Sequence, residues 1–231
     1  MKKLGLIGGL GPEATIGYYR LLIKSFQERT GSGNYPEFII NSLDMQRITE
    51  LLNEDRWDDL AETTVGAIQA VAAAGADFAA ISSNTPHIVL EKVRKTAPIP
   101  VISLVEATCD MAKMLGQTKL GLFGTRFTMQ ADFYQKVFTP QGIAIIVPEL
   151  TEQEFIHNKI INELESGILV ASTKRWFLAI ANRLKEEAAI DGLILGCTEL
   201  SLLLNRDELG IPFLDTAAIH VEKIVDRMLE D

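Results

Sequence analysis

The stretch Leu195-Gly196-Cys197-Thr198-Glu199 is a turn of small and polar residues between two apolar runs, residues 192–195 and 200–204. A second stretch, Ser82-Ser83-Asn84-Thr85-Pro86-His87, follows the mostly apolar run 76–81. An apolar run of strand length that ends in small and polar residues is typical of a buried parallel strand leading into a helix. We therefore interpret both stretches as strand-to-helix corners.

The sequence repeats itself at a nearly constant offset. Residues 3–8 (KLGLIG) recur as residues 119–124 (KLGLFG), 116 positions later, and Ser83 and Cys197 are 114 positions apart. A third landmark, Ile-Pro followed by two apolar residues, recurs with an offset of 112. Landmarks that recur in the same order indicate two copies of one structural unit. We expect Ser83 and Cys197 to face one ligand from opposite sides.

Apolar runs of strand length alternate with helical patterns along the chain. The predicted strands are residues 4–8, 37–43, 78–81, 99–103, 120–123, 143–147, 193–195 and 211–214. The longer predicted helices are residues 57–74, 86–95, 129–138, 152–164, 174–189 and 217–229. This alternation predicts an α/β fold with parallel sheets.

The repeat predicts two similar lobes, each with a parallel sheet flanked by helices. We expect the lobes to be related by a pseudo-twofold axis, with the site in the cleft between them. Residues 1–105 are assigned to an N-terminal lobe, on which the C-terminal helix, residues 215–231, is expected to pack. Residues 106–214 are assigned to the C-terminal lobe.

Composition narrows the possible partners and location. The 231 residues carry a formal net charge of −9, which argues against nucleic acid or an anionic membrane as a partner. No apolar run approaches the roughly 20 residues that span a bilayer. Two cysteines do not form a disulfide framework, and Met1-Lys2-Lys3 leads into a strand without the features of a signal peptide. We therefore expect a cytoplasmic protein.

The polar corners follow predicted strands, where open parallel sheets bind their ligands. Their backbone N–H groups and hydroxyls could hold a carboxylate without a metal. A thiol at the start of a helix tends to have a lowered pKa, which makes Cys197 a candidate base or nucleophile. The alternative is that Cys197 is a small buried apolar residue and Ser83 only a helix cap.

Other motifs point away from cofactors. The turn Gly8-Gly9-Leu10-Gly11-Pro12 does not fit the G-x-G-x-x-G pattern of nicotinamide-binding proteins. The three histidines are not spaced as metal ligands, so no metal site is expected. Arg47 could bind a substrate carboxylate with two hydrogen bonds, although it could equally be a solvated arginine beside Glu50 and Asp55.

These residues resemble the aspartate/glutamate racemases that work without pyridoxal phosphate, in a superfamily with hydantoin racemases, maleate isomerases and arylmalonate decarboxylases. The resemblance covers essentially the whole chain and rests on four motifs: Gly8-Gly9-Leu10-Gly11-Pro12, Ser83-Asn84-Thr85, Gly124-Thr125 and Gly196-Cys197-Thr198-Glu199. It implies two α/β lobes with the site between them, no cofactor, a small amino-acid or dicarboxylate substrate, and a homodimer.

The resemblance also implies roles for individual residues. Substrate contacts are implied for Leu10, Asn84, Thr85, Thr125 and Thr198. Arg47 and Glu199 complete our set of candidate substrate-binding residues.

Inverting a stereocentre requires one group to remove the Cα proton from one face and another to deliver a proton to the opposite face. Racemases of this family normally place a cysteine at each corner, whereas this chain has Ser83 at the first. A cysteine has an ordinary pKa of about 8.5, and a serine hydroxyl is far less acidic. The resemblance implies that Cys197 abstracts the proton of an L-amino acid. We therefore predict an isomerase, namely a racemase of aspartate and/or glutamate that favours the L-substrate.

Two alternatives remain open at this point. An arylmalonate-type decarboxylase protonates one face of an enediolate with a single thiol, which one cysteine would satisfy. That reaction needs an apolar pocket, whereas the corners here are polar. The second alternative is a binding protein for an amino acid or dicarboxylate, in which Ser83 marks the loss of activity.

Overall fold

The computed structural model describes residues 1–204 and 208–230, with Pro12 described by its backbone only. Residues 205–207, within the predicted second lobe, and Asp231, at the end of the predicted C-terminal helix, lie outside the described residues. The strands are β1 (Leu4–Gly8), β2 (Phe38–Ser42), β3 (Phe78–Ile81), β4 (Val101–Ile102), β5 (Lys119–Phe123), β6 (Ala144–Ile146), β7 (Gly192–Leu195) and β8 (Phe213–Asp215).

Helices and short 3₁₀ turns connect these strands. The helices are α1 (Pro12–Thr30), α2 (Met45–Asn53), α3 (Trp57–Ala73), α4 (Leu90–Thr96), α5 (Leu104–Met114), α6 (Arg126–Gln130), α7 (Phe133–Phe138), α8 (Leu150–Asn162), α9 (Ala171–Ala188), α10 (Leu200–Leu203) and α11 (Thr216–Leu229). The 3₁₀ turns are Thr85–Val89, Thr139–Gln141 and Leu164–Ser166. None of the helices in the described part of the chain is long and apolar enough to cross a membrane.

The chain divides into two compact units. Unit 1 contains residues 1–107 and the C-terminal segment from Ala217 onward, and unit 2 contains residues 108–216. Each unit has a four-stranded sheet, with the order β2-β1-β3-β4 in unit 1 and β6-β5-β7-β8 in unit 2. All the pairings are parallel. The predicted α/β fold with two copies of one plan is therefore confirmed.

The core of unit 1 joins the sheet to helices from both ends of the chain. Side chains of β1 and β3 pack with α1 and α11 in one buried apolar cluster: Leu4, Leu6, Tyr18, Leu22, Phe26, Phe78, Ala80, Ala217, Val221, Ile224, Val225 and Met228. Burying one large apolar side chain stabilises a fold by roughly 1.5–3 kcal/mol. This packing attaches the C-terminal helix α11 to the sheet of unit 1.

The core of unit 2 lies between its sheet and helices α8 and α9. Phe123 of β5 and Leu193 of β7 pack against Phe177 of α9 and Ile156 of α8. The rings of Phe123 and Phe177 meet edge to face, with centroids 6.1 Å apart. The apolar strand residues that preceded the Cys197 corner in the sequence are thus core residues, and the core holds the end of β7 in place.

The same hydrogen bond fastens the end of the third strand in each unit. The backbone N–H of Ser82 donates to the carbonyl oxygen of Ile7 at 2.9 Å. The backbone N–H of Gly196 donates to the carbonyl oxygen of Phe123 at 2.7 Å. Ser82 and Gly196 each follow the third strand of their unit, so the two corners leave their sheets in the same way.

Two predicted helices differ from the observed structure. The predicted helix 86–95 begins as the 3₁₀ turn Thr85–Val89 and becomes α-helical only at Leu90. The predicted helix 129–138 is two helices, α6 and α7, because Ala131 has extended backbone angles (φ −79°, ψ 159°). Apolar spacing does not report such single-residue changes of backbone conformation, since the residues on both sides still face the core.

Candidate active site

The glycine turn after β1 lies close to the backbone that follows β2. Gly9 has a φ of +73°, and a Cβ atom on it would lie 2.2 Å from the carbonyl oxygen of Leu43. Only glycine fits this position, because its conformation is left-handed and there is no room for a side chain. The N–H of Gly9 donates to the Thr15 hydroxyl at 2.9 Å, and Leu10 is buried. The turn is therefore rigidly placed at the carboxyl end of the sheet of unit 1.

Ser83 lies beside this turn, because β1 and β3 are neighbours and Ile7 pairs with Ile81. The Ser83 residue is half-buried, whereas Asn84 and Thr85 are buried. Within residues 1–204 and 208–230, no side chain hydrogen-bonds the Ser83 hydroxyl. The structure thus brings Leu10 and the Ser83-Asn84-Thr85 corner together at one edge of unit 1, and it provides no base for Ser83 among those residues.

The corresponding corner of unit 2 contains Thr125 and Cys197. A Cβ atom on Gly124 would lie 3.1 Å from the carbonyl oxygen of Gly196, so the turns after β5 and β7 nearly touch. Thr125 begins α6 by accepting a hydrogen bond from the N–H of Thr128 at 3.4 Å. Thr125 and Cys197 therefore lie at the same edge of the second sheet.

The Cys197 thiol is hydrogen-bonded to a buried carboxylate. Its Sγ donates to Oε2 of Glu199 at 2.9 Å, and the Thr198 hydroxyl donates to the same oxygen at 2.7 Å. Glu199 is only 4% exposed. Glu199, which the sequence presented as a substrate-binding residue, is thus also the direct partner of the candidate base.

The expectation of a lowered pKa for the Cys197 thiol is wrong. Burial, followed by the charge and hydrogen bond of Glu199, raises the pKa of Cys197 well above its ordinary value. The helix after the corner, α10, has only four residues and so contributes little dipole to oppose these effects. The resting thiol is therefore protonated, and its proton points at an acceptor that can take it.

Sequence reasoning missed a second carboxyl group, Glu165. It lies in the 3₁₀ turn after α8, and burial followed by the charge of Glu199 raises its pKa to about 7. The charge of Glu165 in turn raises the pKa of Cys197. In the sequence Glu165 precedes Ser166-Gly167 at the end of a helical pattern, which is typical of a solvated residue, so no local signal reveals it.

Replacing Glu165 with Gln is expected to make the Cys197 thiol more reactive above pH 7. In the wild type, Glu165 becomes negative above about pH 7 and opposes thiolate formation. The variant lacks that charge, so iodoacetamide should alkylate Cys197 about threefold faster at pH 8 and at nearly the wild-type rate at pH 6. Glu154→Gln, on the preceding helix, is the control. Equal rates at pH 8 for the wild type and Glu165→Gln would contradict the coupling.

Arg47 lies in a surface groove between α2 and the first turns of α3. The groove, of about 470 Å³, is also lined by Glu50, Arg56, Asp59 and Glu62. The described contacts do not bring the Arg47 side chain to the Ser83 corner, so its role in binding a carboxylate stays a prediction. No group of three His, Cys, Asp or Glu side chains within residues 1–204 and 208–230 is arranged to hold a metal ion.

The comparisons with known proteins agree on one family. The Asp/Glu/Hydantoin racemase family model matches residues 7–224. A broad-specificity amino-acid racemase, RacX of Bacillus subtilis, is 25% identical over 231 residues, covering 98% of each chain. A Yersinia pestis structure assigned to the Asp/Glu racemases is 33% identical with a TM-score of 0.91, and both chains are fully covered.

A second solved structure gives the same result. An aspartate racemase homologue from Pyrococcus horikoshii is 34% identical with a TM-score of 0.88, again over the full length of both chains. This chain belongs to the Asp/Glu/hydantoin racemase family and, like the amino-acid racemases it matches, is an isomerase.

Proposed function

We propose that the protein racemises aspartate and/or glutamate without a cofactor, that Cys197 is its base, and that it favours the L-substrate. The observation that carries the proposal is the Cys197 thiol donating to the buried Glu199 carboxylate at 2.9 Å, while the equivalent position of unit 1 is Ser83. The family resemblance supports the substrate class, since the matched relatives include an aspartate racemase homologue and a broad-specificity amino-acid racemase.

In the proposed first step, Cys197 passes its proton to Glu199 as the substrate binds. The thiolate then removes the Cα proton, and the electron pair moves into the substrate carboxylate to form an enediolate. A raised thiol pKa makes the thiolate scarce in the resting protein but strongly basic once it forms. The adjacent carboxylate is what makes the proton transfer possible within one hydrogen bond.

In the second step, the opposite face of Cα receives a proton. Ser83 must reach that face, either by donating its own hydroxyl proton or by holding a water that donates. Cys197 keeps the proton that it took from Cα, Glu199 releases its proton to solvent, and Ser83 regains a proton from water. The thiol, the carboxylate and the hydroxyl are thereby all restored. Because the Ser83 hydroxyl is a weak acid without a base beside it, both proton delivery to this face of Cα and proton removal from it are slow. L-substrate is therefore deprotonated faster than D-substrate.

The remaining polar groups are proposed to hold the substrate. Asn84, Thr85, Thr125 and Thr198 offer amide and hydroxyl groups at the two corners, and Leu10 closes the glycine turn. The Thr198 hydroxyl donates its hydrogen bond to Glu199, so its oxygen remains available as an acceptor. The α-ammonium group of an amino-acid substrate would be a suitable donor to that oxygen.

The family resemblance also supports a homodimer in a reducing compartment such as the cytoplasm. Unit 1 exposes several large apolar side chains on α1 and β2, among them Ile16, Tyr19 and Ile40, which are suited to a contact with a second copy. Cys109 and Cys197 do not form a disulfide, as is usual where thiols are kept reduced.

Exchange of the Cα proton for deuterium tests the proposal. The protein is incubated in D₂O with the L- and D-forms of aspartate and glutamate, and the Cα resonance is followed by proton NMR. We expect loss of the Cα signal from at least one L-form, at a faster rate than from its D-form. Absence of exchange from all four amino acids would contradict the proposal. Carbon dioxide release from an arylmalonate would then identify a decarboxylase instead.

A further inference from the structure

The positions four residues after Ser83 and after Cys197 are structurally equivalent. Ile81 pairs with Ile7 in unit 1, and Leu195 pairs with Phe123 in unit 2, so the strands before the two corners are in the same register. Each reacting residue follows its strand by two positions. Counting onward along both corners makes Asn84 equivalent to Thr198 and His87 equivalent to Ser201.

In unit 1, the His87 ring is fastened to the corner. Its Nδ1 lies 3.0 Å from the carbonyl oxygen of Ser83 and 3.2 Å from that of Asn84, and its Nε2 accepts a hydrogen bond from the N–H of Leu104 at 3.1 Å. Because Nε2 is an acceptor, the ring proton is on Nδ1 and is donated to the two carbonyls. The ring is 4% exposed, and burial lowers the pKa of His87 to about 4, which keeps this neutral form at neutral pH.

In unit 2, a different side chain makes the equivalent bond. The Ser201 hydroxyl donates to the carbonyl oxygen of Thr198 at 2.9 Å. Thr198 is the residue directly after Cys197, as Asn84 is the residue directly after Ser83. Two unlike residues, a histidine and a serine, thus donate to the same backbone carbonyl in the two copies of the corner.

We infer that His87 and Ser201 are paired positioning residues, each of which holds the backbone carbonyl next to the reacting side chain of its own unit. His87 bonds the carbonyls of Ser83 and Asn84 and so fixes the two peptide planes that follow Ser83. Ser201 fixes the peptide plane after Thr198, one residue beyond Cys197. Each bond thereby restricts the backbone that directs the hydroxyl or thiol. A shift of about 1 Å at a reacting group can lower a rate by about 100-fold. The inference rests on the proposed racemase function.

The two residues therefore act on different faces of the reaction. His87 positions Ser83, so its loss is expected to slow proton delivery by Ser83 and to leave proton removal by Cys197 intact. Ser201 positions Cys197, so its loss is expected to slow proton removal from the L-substrate. A residue that only stabilised the fold would lower both steps in proportion to the loss of folded protein, so all rates are compared per amount of folded protein, measured by circular dichroism.

The ratio of two rates separates these cases. With L-aspartate and L-glutamate in D₂O, NMR measures exchange at Cα, and chiral chromatography measures the D-enantiomer formed. His87→Phe is expected to lower the ratio of D-product to exchange about tenfold, and Ser201→Ala to lower exchange about tenfold with the ratio unchanged. His87→Asn, whose amide nitrogen can replace the Nδ1 donor, should recover most of the ratio.

His220→Phe is the matched control, because His220 is also fully buried in unit 1 but bonds Tyr18 and the carbonyl of Ile102 instead of the corner. Its ring meets the His87 ring edge to face, with centroids 6.5 Å apart, and phenylalanine keeps a ring at that place. The ratio of D-product to Cα exchange in His220→Phe should equal that of the wild type. The inference would be overturned if His87→Phe and His220→Phe gave the same ratio, or if His87→Asn failed to recover more than His87→Phe.

A reactivity measurement keeps the inference testable if no amino acid exchanges, a result that would count against the proposed function alone. In a Ser83→Cys background, iodoacetamide alkylation of the introduced thiol reports the geometry of the first corner. Adding His87→Phe should change its rate by about threefold or more, and adding His87→Asn should change it less. Ser201→Ala should likewise change the alkylation of Cys197. Unchanged rates in all the variants would refute the positioning role.

Discussion

Replacing Cys197 with alanine is expected to abolish most of the Cα exchange from L-substrates, with a fall of about 10²- to 10⁴-fold. At the second corner the Cys197 thiol and the Thr198 hydroxyl both donate to the buried Glu199 carboxylate, at 2.9 Å and 2.7 Å. A thiol is far more acidic than a hydroxyl, so Cys197 is the group expected to take up the Cα proton. Alanine removes the group that takes the Cα proton, and Glu199 is left without its thiol partner. The measurement is the initial rate of deuterium exchange at Cα, followed by NMR.

Cys109→Ala is the control for the loss of a thiol. Cys109 is buried on α5, and its Sγ lies 3.9 Å from the carbonyl oxygen of Val137, so it belongs to the interior of unit 2. We expect this variant to keep the wild-type exchange rate apart from any loss of folded protein. Exchange that survives Cys197→Ala within about threefold of the wild type would remove Cys197 as the base.

Replacing Ser83 with cysteine is expected to raise the rate of D-substrate use by about 100-fold. A thiol has an ordinary pKa of about 8.5 and can serve as both acid and base on its face, whereas the serine hydroxyl can do neither well. The wild-type Ser83 hydroxyl has no side-chain hydrogen-bond partner in the described part of the chain. The measurement is Cα exchange from D-aspartate and D-glutamate, together with formation of the L-forms.

Ser83→Ala tests what the hydroxyl itself contributes. If Ser83 delivers or relays a proton, Ser83→Ala should lower formation of the D-product from the L-substrate while exchange at Cα continues. Exchange continues because Cys197 can return a solvent-derived deuteron to the same face. An unchanged preference for L- over D-substrate in Ser83→Cys would contradict the assignment of one corner to each face.

The duplicated plan could be predicted because strand residues carry a local signal. The KLGLIG and KLGLFG repeats are apolar runs that must be buried, and their recurrence is visible without knowledge of contacts. The sheet orders β2-β1-β3-β4 and β6-β5-β7-β8 agree with that prediction. The corner residues Ser83 and Cys197 could also be named in advance, since ligand sites of parallel sheets lie where strands end.

The ionisation of the site could not be predicted in the same way. The rule that a helix start lowers a thiol pKa failed at Cys197, because the pKa depends on burial and on the orientation of the Glu199 carboxylate. Glu165 lies more than thirty positions before Cys197 in the sequence and influences it only through the fold. No local sequence signal shows that the His87 ring lies between the carbonyl of Ser83 and the N–H of Leu104.

Residue order alone thus establishes which segments are buried strands, that the plan occurs twice, and that one corner has a thiol where the other has a hydroxyl. These properties are local, because apolar periodicity and side-chain chemistry belong to each segment separately. Only the folded chain reveals that the Cys197 thiol donates a hydrogen bond to Glu199, that burial raises the pKa of Glu165 to about 7, and that His87 and Ser201 bond equivalent carbonyls. Those properties depend on distances of about 3 Å between groups and on their exclusion from water, which folding alone creates.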